Sequence, residues 1–568
     1  MIRKPMNYFF YYLCIFSLLH GATDATLDAM QQELERSYKV LSKAQPAPLY
    51  FLQYEIYDEH EIYLNASQGA IFFDNDEHNR YLDIDVRVGS PKLDNTHEIR
   101  SSTGFDFIDW IPSIINVPIE EDTDALRSIL WIETDRAFKD AQERYTKVQA
   151  EKQVKVAETD TSPDFSFVSP INSDDQPAII NIDLGPWYVR LRDLSSRFST
   201  HTWLFQSQIS LRAERYVRFI VNTDGTRIRE DRLTYRLSVY AATMADDGME
   251  LYLSHSFYAT DPSRLPDDAE IIIQIDSIIA NLDALRNAPI VEPYTGPAIL
   301  VNQASGVFFH EIFGHRIEGH RQKSEFEGQT FTKKVGEQIL PEFISIYDDP
   351  TMTMFNGKDL NGHYRHDDEG VAARSVTVVE NGILREFLMS RSPIEGFPKS
   401  NGHGRRSHGK NVVARQGVLY IKSNKEATFE DLRVALIDEC RSQDKEYGLI
   451  FYDISGGFTS TGRSGTQSFK VIPLLVKRIY VDERPDEVVR GVDIVGTPLL
   501  SFSKIQMTGD DYDIFNGTCG AESGWVPVSA ISPSIFVSEI EVEKKAKAQD
   551  KPPILPAPEL PNVQRRLP

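Results

Sequence analysis

The N-terminal half of the chain shows two kinds of apolar periodicity. Between residues 26 and 43, Leu27, Met30, Leu34 and Val40 lie at helical spacing and predict an amphipathic helix. The stretches that follow alternate or are rich in β-forming residues, which predicts strands at 49–57, 61–73 and 81–88. Further along, the pattern predicts helices at 122–148 and 266–286 and strands at 204–209, 215–221 and 233–242.

Breaking residues at Pro289, Pro293 and Gly296 predict a boundary in the chain. After the boundary, the sequence predicts a short strand at 298–301 that leads into a helix. A later hairpin turns at Asn381-Gly382, a pair that suits a tight primed turn. Thr428 and Asp431 are placed to cap a further helix. Most of the remaining sequence, 448–542, has the pattern of strands.

These elements together predict an α+β fold with two domains. The N-terminal domain, 26–290, would be mixed α/β, with long helices and antiparallel strands. The C-terminal domain, 291–543, would be strand-rich and antiparallel and would carry the helix of the metal motif described below. The Lys-rich and then Pro-rich tail, 544–568, is predicted to be disordered. A length of 568 residues is ample for two domains of ordinary size.

The first residues have the pattern of a signal peptide. Arg3 and Lys4 precede an apolar run at 8–19, and small residues suitable for cleavage follow. We expect residues 1–25 to be removed, which predicts a secreted or periplasmic protein. A short membrane anchor is the alternative for this segment. No later stretch approaches about 20 uninterrupted apolar residues, so we expect no membrane span after cleavage.

The charge balance argues against some classes of partner. The chain has 61 basic and 84 acidic residues, which gives a formal net charge of −23. A surface of that sign repels nucleic acid and anionic lipid, so we expect no nucleic-acid partner.

The chain has three cysteines, Cys14, Cys440 and Cys519, of which Cys14 lies in the predicted signal peptide. Two remaining cysteines do not make a disulfide scaffold. Cys440 follows Leu432 and Leu436 at helical spacing, which predicts a buried position on an apolar face. Cys519 lies in a glycine-rich stretch suited to presenting a side chain. A Cys440–Cys519 disulfide remains the alternative.

The segment His310-Glu311-Ile312-Phe313-Gly314-His315 has the composition of a metal motif. Neutral imidazoles suit zinc, and the glutamate beside the first could take a proton from a water molecule that the metal activates. The histidines are five residues apart, so a regular α-helix would aim them about 140° from each other. We therefore expect a π-type turn that widens or kinks the helix, eased by Gly314. Ordinary surface or core histidines are the alternative. His320 continues the spacing and is a candidate extra ligand.

The residues around this motif resemble the signature region of the TldD/PmbA family of metallopeptidases. The likeness covers about 290–542, and its stretches are EPYTGP at 292–297, ASGVFFHEIFGHRIEG at 304–319, DDEG at 367–370, GHGRR at 402–406, MTGD at 507–510 and TCG at 518–520. The N-terminal half is similar more loosely, and the stretches 48–51 and 82–89 look like an exported branch of the family.

The resemblance implies a zinc peptidase with three protein ligands, His310, His315 and Cys519, and with Glu311 as general base. It implies peptides or unfolded proteins as substrates, and the strand-rich half suggests that they bind as an added strand. It also implies a homodimer or a heterodimer with a related subunit. Two alternatives stay open: a non-catalytic zinc-containing peptide-binding or regulatory subunit, and another metal amidase.

Further polar residues are candidates for supporting roles in this mechanism. The candidates for stabilising a tetrahedral oxyanion are His320, His403, Arg405 and His408. The candidates for orienting ligand imidazoles through hydrogen bonds are Asp367, Asp368 and Glu369. Each of these residues has an ordinary surface or turn position as its alternative.

Overall fold

The computed structural model describes residues 24–99, 114–154, 160–463 and 468–545. Nearly all of the predicted signal peptide and of the predicted disordered tail lie outside these ranges, so both stay predictions. Among the described residues, no helix combines the length and the apolar character needed to cross a membrane.

The N-terminal part of the chain combines four helices with one large sheet. Its helices are α1 (Ala25–Leu41), α2 (Thr123–Val154), α3 (Leu184–Ser196) and α4 (Asp268–Asn287). Its strands are β1 (Leu49–Ser67), β2 (Ala70–Ser90), β3 (Leu93–Asp94), β4 (Ile115–Asn116), β5 (Asn172–Asp174), β6 (Leu204–Asn222), β7 (Arg227–Met244) and β8 (Glu250–Ala259). The order in the sheet is β3-β2-β1-β6-β7-β5, with β4 on β2 and β8 on β7.

The strands of this sheet are longer than the sequence predicted. Where two separate strands were expected at 49–57 and 61–73, β1 is continuous and turns into β2 only at Gln68-Gly69, where both φ angles are positive. The strand predictions at 204–209 and 215–221 likewise merge into β6. Polar residues such as Glu59 and Glu61 interrupted the apolar alternation in the sequence, but backbone pairing with two neighbouring strands carries β1 through them.

One face of the sheet packs against helices. Leu52, Tyr54 and Ile56 of β1 belong to a core with α1 and α2, and Leu64 and Ala66, farther along the same face, belong to a core with α3 and α4. Because side chains alternate along a strand, the residues between them point to the opposite face. That face carries polar side chains and meets the C-terminal part of the chain.

The C-terminal part is built mainly of strands. Its helices are α5 (Asn302–Ile312), α6 (His320–Lys323), α7 (Phe429–Ser442) and α8 (Pro498–Ser503). Its first strands are β9 (Tyr294–Leu300), β10 (Ile344–Asp348), β11 (Met354–Phe355), β12 (Lys358–Asp359), β13 (Val376–Glu380), β14 (Ile383–Leu384), β15 (Gly404–Arg405), β16 (Val413–Ala414) and β17 (Val418–Ser423). The later strands are β18 (Glu426–Ala427), β19 (Tyr447–Thr459), β20 (Phe469–Tyr480), β21 (Glu487–Val489), β22 (Val492–Gly496), β23 (Ile505–Gly509), β24 (Asp513–Ala521), β25 (Gly524–Ser532) and β26 (Ile535–Lys544).

Two sheets of this part enclose α5. One has the order β18-β23-β26-β22-β20-β19-β9, and an added pairing between β26 and β9 closes five of its strands into a ring. The other has the order β14-β13-β10-β17-β25-β24. Helix α5 contacts β19 and β20 on one side and β24 and β25 on the other. The predicted α+β fold, with two domain-like parts, is therefore confirmed, while the residue bounds of the domains stay predictions.

Several local predictions are confirmed. The hairpin between β13 and β14 turns at Asn381 and Gly382, both with positive φ. Thr428 and Asp431 form a reciprocal capping box at the start of α7. These turns and caps could be predicted because each depends on side chains within four residues of one another.

Charged groups are buried where the polar face of the N-terminal sheet meets the C-terminal part. Glu55 on β1 accepts a hydrogen bond of 2.6 Å from Arg406, and Arg218 on β6 pairs with Asp368 and Glu230. Gln53 donates to the Asp368 carbonyl over 2.9 Å. Burial raises the pKa of Glu55 to about 7, although the positive charge of Arg406 partly opposes this effect. The two parts are therefore joined by paired polar groups as well as by apolar packing.

The raised pKa of Glu55 predicts a pH-dependent stability. Between its ordinary pKa of 4.5 and about 7, the folded protein retains a proton on Glu55 that the unfolded chain has lost. The free energy of unfolding therefore decreases as the pH rises through this window. In a Glu55→Gln variant this decrease is smaller, so the variant gains stability relative to the wild type between about pH 5 and pH 8.

Denaturant unfolding at about pH 5 and about pH 8 measures the free energy of unfolding of the variant and the wild type. Glu77→Gln, an exposed position on the same hairpin, is the matched control and is expected to follow the wild type. An unchanged pH dependence in Glu55→Gln would show that Glu55 titrates normally.

Candidate metal centre

Helix α5 is held in place from all sides. Every residue from Ala304 to Ile312 is buried, as expected for a helix enclosed between two sheets. Phe309 stacks on Phe502 of α8 with ring centroids 6.0 Å apart. At the start of the helix, the Asn302 amide donates to Ser534 Oγ over 3.0 Å. The helix therefore presents His310 from a rigid support.

The helix ends between the two histidines. Its last residue is Ile312, and after Phe313 the chain makes a 3₁₀ turn at Gly314–Arg316. The expected break in regular helix is confirmed, but the expected π-type turn is wrong. A Cβ at position 314 would lie 1.8 Å from Gln416 Oε1, so a larger residue here would displace the Gln416 side chain. The turn brings the rings of His310 and His315 to a centroid distance of 5.3 Å.

Cys519 reaches the same point from β24. Its Sγ lies 3.4 Å from His315 Nε2, and one donor atom from each of His310, His315 and Cys519 lies within 4.8 Å of the others. All three side chains are buried. The structure thus brings together the three predicted ligands, although Cys519 follows His315 by 204 residues in the chain.

The alternative disulfide is excluded by the same geometry. Cys440 and Cys519 are both free. Cys440 lies on α7 in a separate apolar cluster with Leu432 and Leu436, as the helical spacing predicted. Burial raises the pKa of the Cys440 thiol to about 12, so Cys440 behaves as a small buried apolar residue.

The electrostatics of the three-residue cluster favour a thiolate. Burial alone would raise the pKa of Cys519, but the imidazoles of His315 and His310 outweigh it and hold that pKa well below the ordinary value. Burial would also lower the pKa of each histidine, but the cysteine charge outweighs it, so the pKa values of His310 and His315 are raised. A buried cation could take the place of these protons on the imidazoles.

The donor set fits zinc. Two imidazoles and a thiolate are the ligand types that zinc prefers. A sulfur and a nitrogen bound to one tetrahedral zinc ion are about 3.6 Å apart, and the Cys519–His315 distance of 3.4 Å is close to this value. Nδ1 of His310 is buried and has no hydrogen-bond partner among the described residues. Three ligands also leave a fourth position for a water molecule or a substrate.

Glu311 lies beside this cluster. Its side chain is 8% exposed, and it passes Gly457 of β19, where a Cβ would lie 3.0 Å from Glu311 Cγ. The glycine therefore leaves room for the carboxylate. No hydrogen bond from the described residues engages that carboxylate, which leaves it available to accept a proton.

Residues 293–544 match the model of the PmbA/TldA metallopeptidase C-terminal domain. This part of the chain therefore resembles the C-terminal domain of that metallopeptidase family. The match contains α5, the 3₁₀ turn and the β24–β25 hairpin, and therefore all three members of the His-His-Cys cluster.

The relatives carry protease names. A metalloprotease from Archaeoglobus fulgidus is 30% identical over 263 residues, which are 46% of this chain and 56% of the relative. A zinc metalloprotease TldD homolog from Saccharolobus solfataricus is 27% identical over 279 residues, 48% of this chain and 57% of the relative. The chain thus spans little more than half the length of these curated relatives.

The likeness extends over the whole fold. The crystal structure of TldE from Thermococcus kodakarensis superimposes with a TM-score of 0.60 and covers 91% of this chain and 100% of that one. The sequence identity is 14%, so this comparison concerns the fold alone. The N-terminal part, which resembles the family only loosely in sequence, shares the architecture.

The segment after His315 contains a further buried residue of the candidate site that sequence reasoning missed. Glu318 is fully buried, and its Oε1 lies 3.4 Å from His315 Nδ1. This contact orients the ring so that Nε2 points at Cys519. Glu318 also accepts from Arg321 over 2.8 Å and lies near Arg415. Burial would raise the pKa of Glu318, but Arg321 and His315 outweigh it and lower the pKa to about 2. The signal in the sequence is its position three residues after His315.

Arg415 holds the other side of the centre. It is fully buried, and it donates to the Cys519 carbonyl over 2.8 Å and to Ser523 Oγ over 2.7 Å. These bonds fix the hairpin of β24 and β25, which carries the cysteine on β24. Glu318, which contacts both His315 and Arg415, therefore links the helix end to the strand.

The four oxyanion candidates lie in other surroundings. His320 Nε2 pairs with Glu522, and it is not part of the three-residue cluster. His403 is fully buried beside Asp348 and Asn401. His408 stacks on Tyr81 at 4.3 Å in a large cavity that Arg405 also lines. His320 as an extra ligand is therefore wrong, and His320 and His403 are engaged in structural contacts.

The acidic stretch 367–370 does not orient the ligands. Asp367 accepts from the Gly404 amide over 2.9 Å, Asp368 pairs with Arg218, and Glu369 accepts from the Arg391 amide over 2.6 Å. The imidazole contact that these residues were expected to make belongs to Glu318 instead. The prediction was wrong because a turn rich in acids serves here to satisfy buried amides and arginines.

The contact of Glu318 with His315 predicts a role in metal affinity. In a Glu318→Gln variant the imidazole loses its anionic partner, and we expect zinc affinity to fall roughly 10–100-fold. Competition with a chromophoric chelator measures the affinity. Glu522→Gln is the matched control, because Glu522 binds Arg321 as Glu318 does but does not contact a ligand imidazole. Equal affinities in the two variants would contradict the role of Glu318.

Proposed function

We propose that the protein is a zinc-dependent peptidase that hydrolyses peptide bonds of unfolded proteins or peptides. The observation that carries this proposal is the convergence of His310, His315 and Cys519 beside the buried carboxylate of Glu311. A purely structural zinc site has four protein ligands and needs no base beside it. The protease names of the relatives support the same conclusion.

In this proposal His310, His315 and Cys519 hold the zinc ion, and Glu311 moves the proton. Zinc in such a site acidifies water and polarises a carbonyl group as a Lewis acid. Glu311 accepts the proton of the attacking water and returns it to the leaving amine. Glu318 and Arg415 keep His315 and Cys519 in position while this happens. The enclosure of α5 between two sheets keeps Glu311 aligned with the ligands.

The position of β24 supports binding of the substrate as an added strand. Among the described strands, β24 lies at the edge of its sheet and is paired on one side with β25. It carries Cys519, so a peptide paired along the free edge would pass the metal centre. Asn361 binds the Gly517 carbonyl over 2.9 Å and Arg415 binds the Cys519 carbonyl over 2.8 Å, so a peptide would pair with the other backbone groups of this edge. Recognition through backbone groups fits a peptidase of broad specificity.

Two further proposals concern the assembly and the location of the protein. One fold relative is named TldE and several sequence relatives are named TldD, and we propose a homodimer or a heterodimer with a related subunit. From the apolar N-terminal segment, we propose that the protein is secreted or periplasmic. The alternatives to a peptidase are a non-catalytic zinc-containing peptide-binding or regulatory subunit and another metal amidase.

The role of Glu311 separates an enzyme from a binding subunit. In Glu311→Gln the general base is lost while the three ligands stay, so we expect turnover of a fluorogenic unfolded protein to fall at least about 100-fold. Zinc content is expected to stay near one per chain. Glu395→Gln, an exposed position, is the control and should keep full activity. Equal turnover in Glu311→Gln and the wild type would remove the peptidase proposal, and a panel of other amide substrates tests the amidase alternative.

A further inference from the structure

A short segment between β16 and β17 lies against the metal centre. It consists of Arg415, Gln416 and Gly417, and we call it the support segment. All three residues are buried, and the side chains of Arg415 and Gln416 are at most 1% exposed. The segment therefore belongs to the close-packed interior of the C-terminal part, where a shift of one group is passed on to its neighbours.

Arg415 connects the support segment to two of the predicted ligands. Its guanidinium donates to the Cys519 carbonyl over 2.8 Å. Its Nε lies 3.4 Å from Glu318 Oε1, and the same oxygen lies 3.4 Å from His315 Nδ1. The position of Arg415 therefore affects both the strand that carries the thiolate and the orientation of one imidazole.

Gln416 connects the support segment to the third ligand. Its side-chain nitrogen lies 3.5 Å from the His310 carbonyl. The same side chain fills the space that a Cβ at position 314 would need, between the two histidines. Arg405 donates to the Gln416 carbonyl over 2.7 Å, which holds the backbone at this point. A displacement of the support segment would thus disturb the surroundings of all three ligands together.

A buried carboxylate anchors the support segment. Asp348 is the last residue of β10 and is fully buried. Both of its oxygens lie 3.1 Å from the Gly417 nitrogen, which donates to them, and Oδ1 also accepts from the Val418 amide over 3.0 Å. Hydrogen bonds to a charged acceptor are roughly twice as strong as those between neutral groups. The carboxylate therefore fixes the backbone at the end of the support segment.

Two neighbours of Asp348 complete the anchor. A Cβ at position 417 would lie 2.8 Å from Pro350 and 3.2 Å from Asp348 Oδ1, so a larger residue would crowd the carboxylate. His403 is also fully buried, and its Nε2 lies 3.3 Å from Asp348 Oδ1. The His403 carbonyl accepts from the Arg415 amide over 2.9 Å. The buried pair of Asp348 and His403 thus holds both ends of the support segment.

We propose that Asp348 is a positioning residue of the metal centre, which acts on the three ligands through the support segment. The hydrogen-bond partners of Asp348 are Gly417, Val418 and His403, so its effect on a bound metal has to pass through them. Metal ligands must be held within about 0.5 Å of their working positions. A loosened support segment therefore lowers the affinity for zinc. The inference rests on the proposed function, because the zinc ion is taken from it.

Metal binding by the full chain tests this role. In Asp348→Asn the charge and one acceptor oxygen are lost, and we expect zinc affinity to fall at least about 10-fold, the lower end of the range for groups that orient metal ligands. Competition with a chromophoric chelator measures the affinity. Cobalt(II) is the second probe, because its visible absorption depends on the identity and geometry of its ligands. We expect the absorption bands of Asp348→Asn to differ from those of the wild type.

Asp58→Asn is the matched control for a general loss of stability. Asp58 is 5% exposed and also pairs with a histidine, His78, whose Nε2 lies 2.7 Å from Asp58 Oδ1. It lies on β1 of the N-terminal sheet. Both variants are expected to unfold at a lower temperature than the wild type, and only Asp348→Asn should change the zinc affinity and the cobalt spectrum. If Asp348→Asn is not folded, His403→Gln carries the test, and a fall in zinc affinity is again expected.

The possible results separate this inference from the proposed function. Zinc affinity and a cobalt spectrum in Asp348→Asn equal to those of Asp58→Asn would overturn the positioning role. A wild-type chain that binds neither zinc nor cobalt would overturn the proposed function and this inference with it. A chain that binds zinc and cleaves peptides, but whose metal binding is unaffected by Asp348→Asn, would lose only the inference.

Discussion

The end of α5 at Ile312, between the two histidines, is the constraint on which the metal centre depends. After it, the 3₁₀ turn at Gly314–Arg316 turns His315 back towards His310. Gly314 packs closely against the Gln416 side chain in this turn. In a continuous helix the two imidazoles would point about 140° apart. The spacing of five residues therefore works because the helix stops between the ligands, and not because it widens.

Strands bring the remaining parts of the site to this helix end. Cys519 lies on β24, and its position is set by pairing with β25 and by the hydrogen bond from Arg415 to its carbonyl. Glu318 connects His315 to Arg415 and so joins the two elements that carry the ligands. The support segment that contains Arg415 is anchored by Asp348 and also reaches the first histidine of the motif. The three ligands thus share one support.

The sequence predicted those features that depend on neighbours along the chain. Helix α1, the Asn381-Gly382 turn and the Thr428 capping box follow from short-range patterns, and the motif and its likeness to a family indicated His310, His315 and Cys519. The 3₁₀ turn could not be predicted, because side chains that pack against it, such as Gln416, lie about a hundred residues away in the sequence. Glu318 was missed and the 367–369 acids were misassigned for the same reason: only the fold decides which carboxylate faces an imidazole. The length of β1 was underestimated because its polar residues are supported by pairing with β2 and β6.

The central claim is that two imidazoles and one thiolate hold a single zinc ion. Zinc analysis of the purified full chain and of its ligand variants tests this claim most directly. The account predicts about one zinc per chain in the wild type and in Cys440→Ala, whose thiol lies in another cluster. It predicts loss of that zinc in each of His310→Ala, His315→Ala and Cys519→Ala. Zinc retained at full occupancy in Cys519→Ala, with the fold intact, would contradict the account.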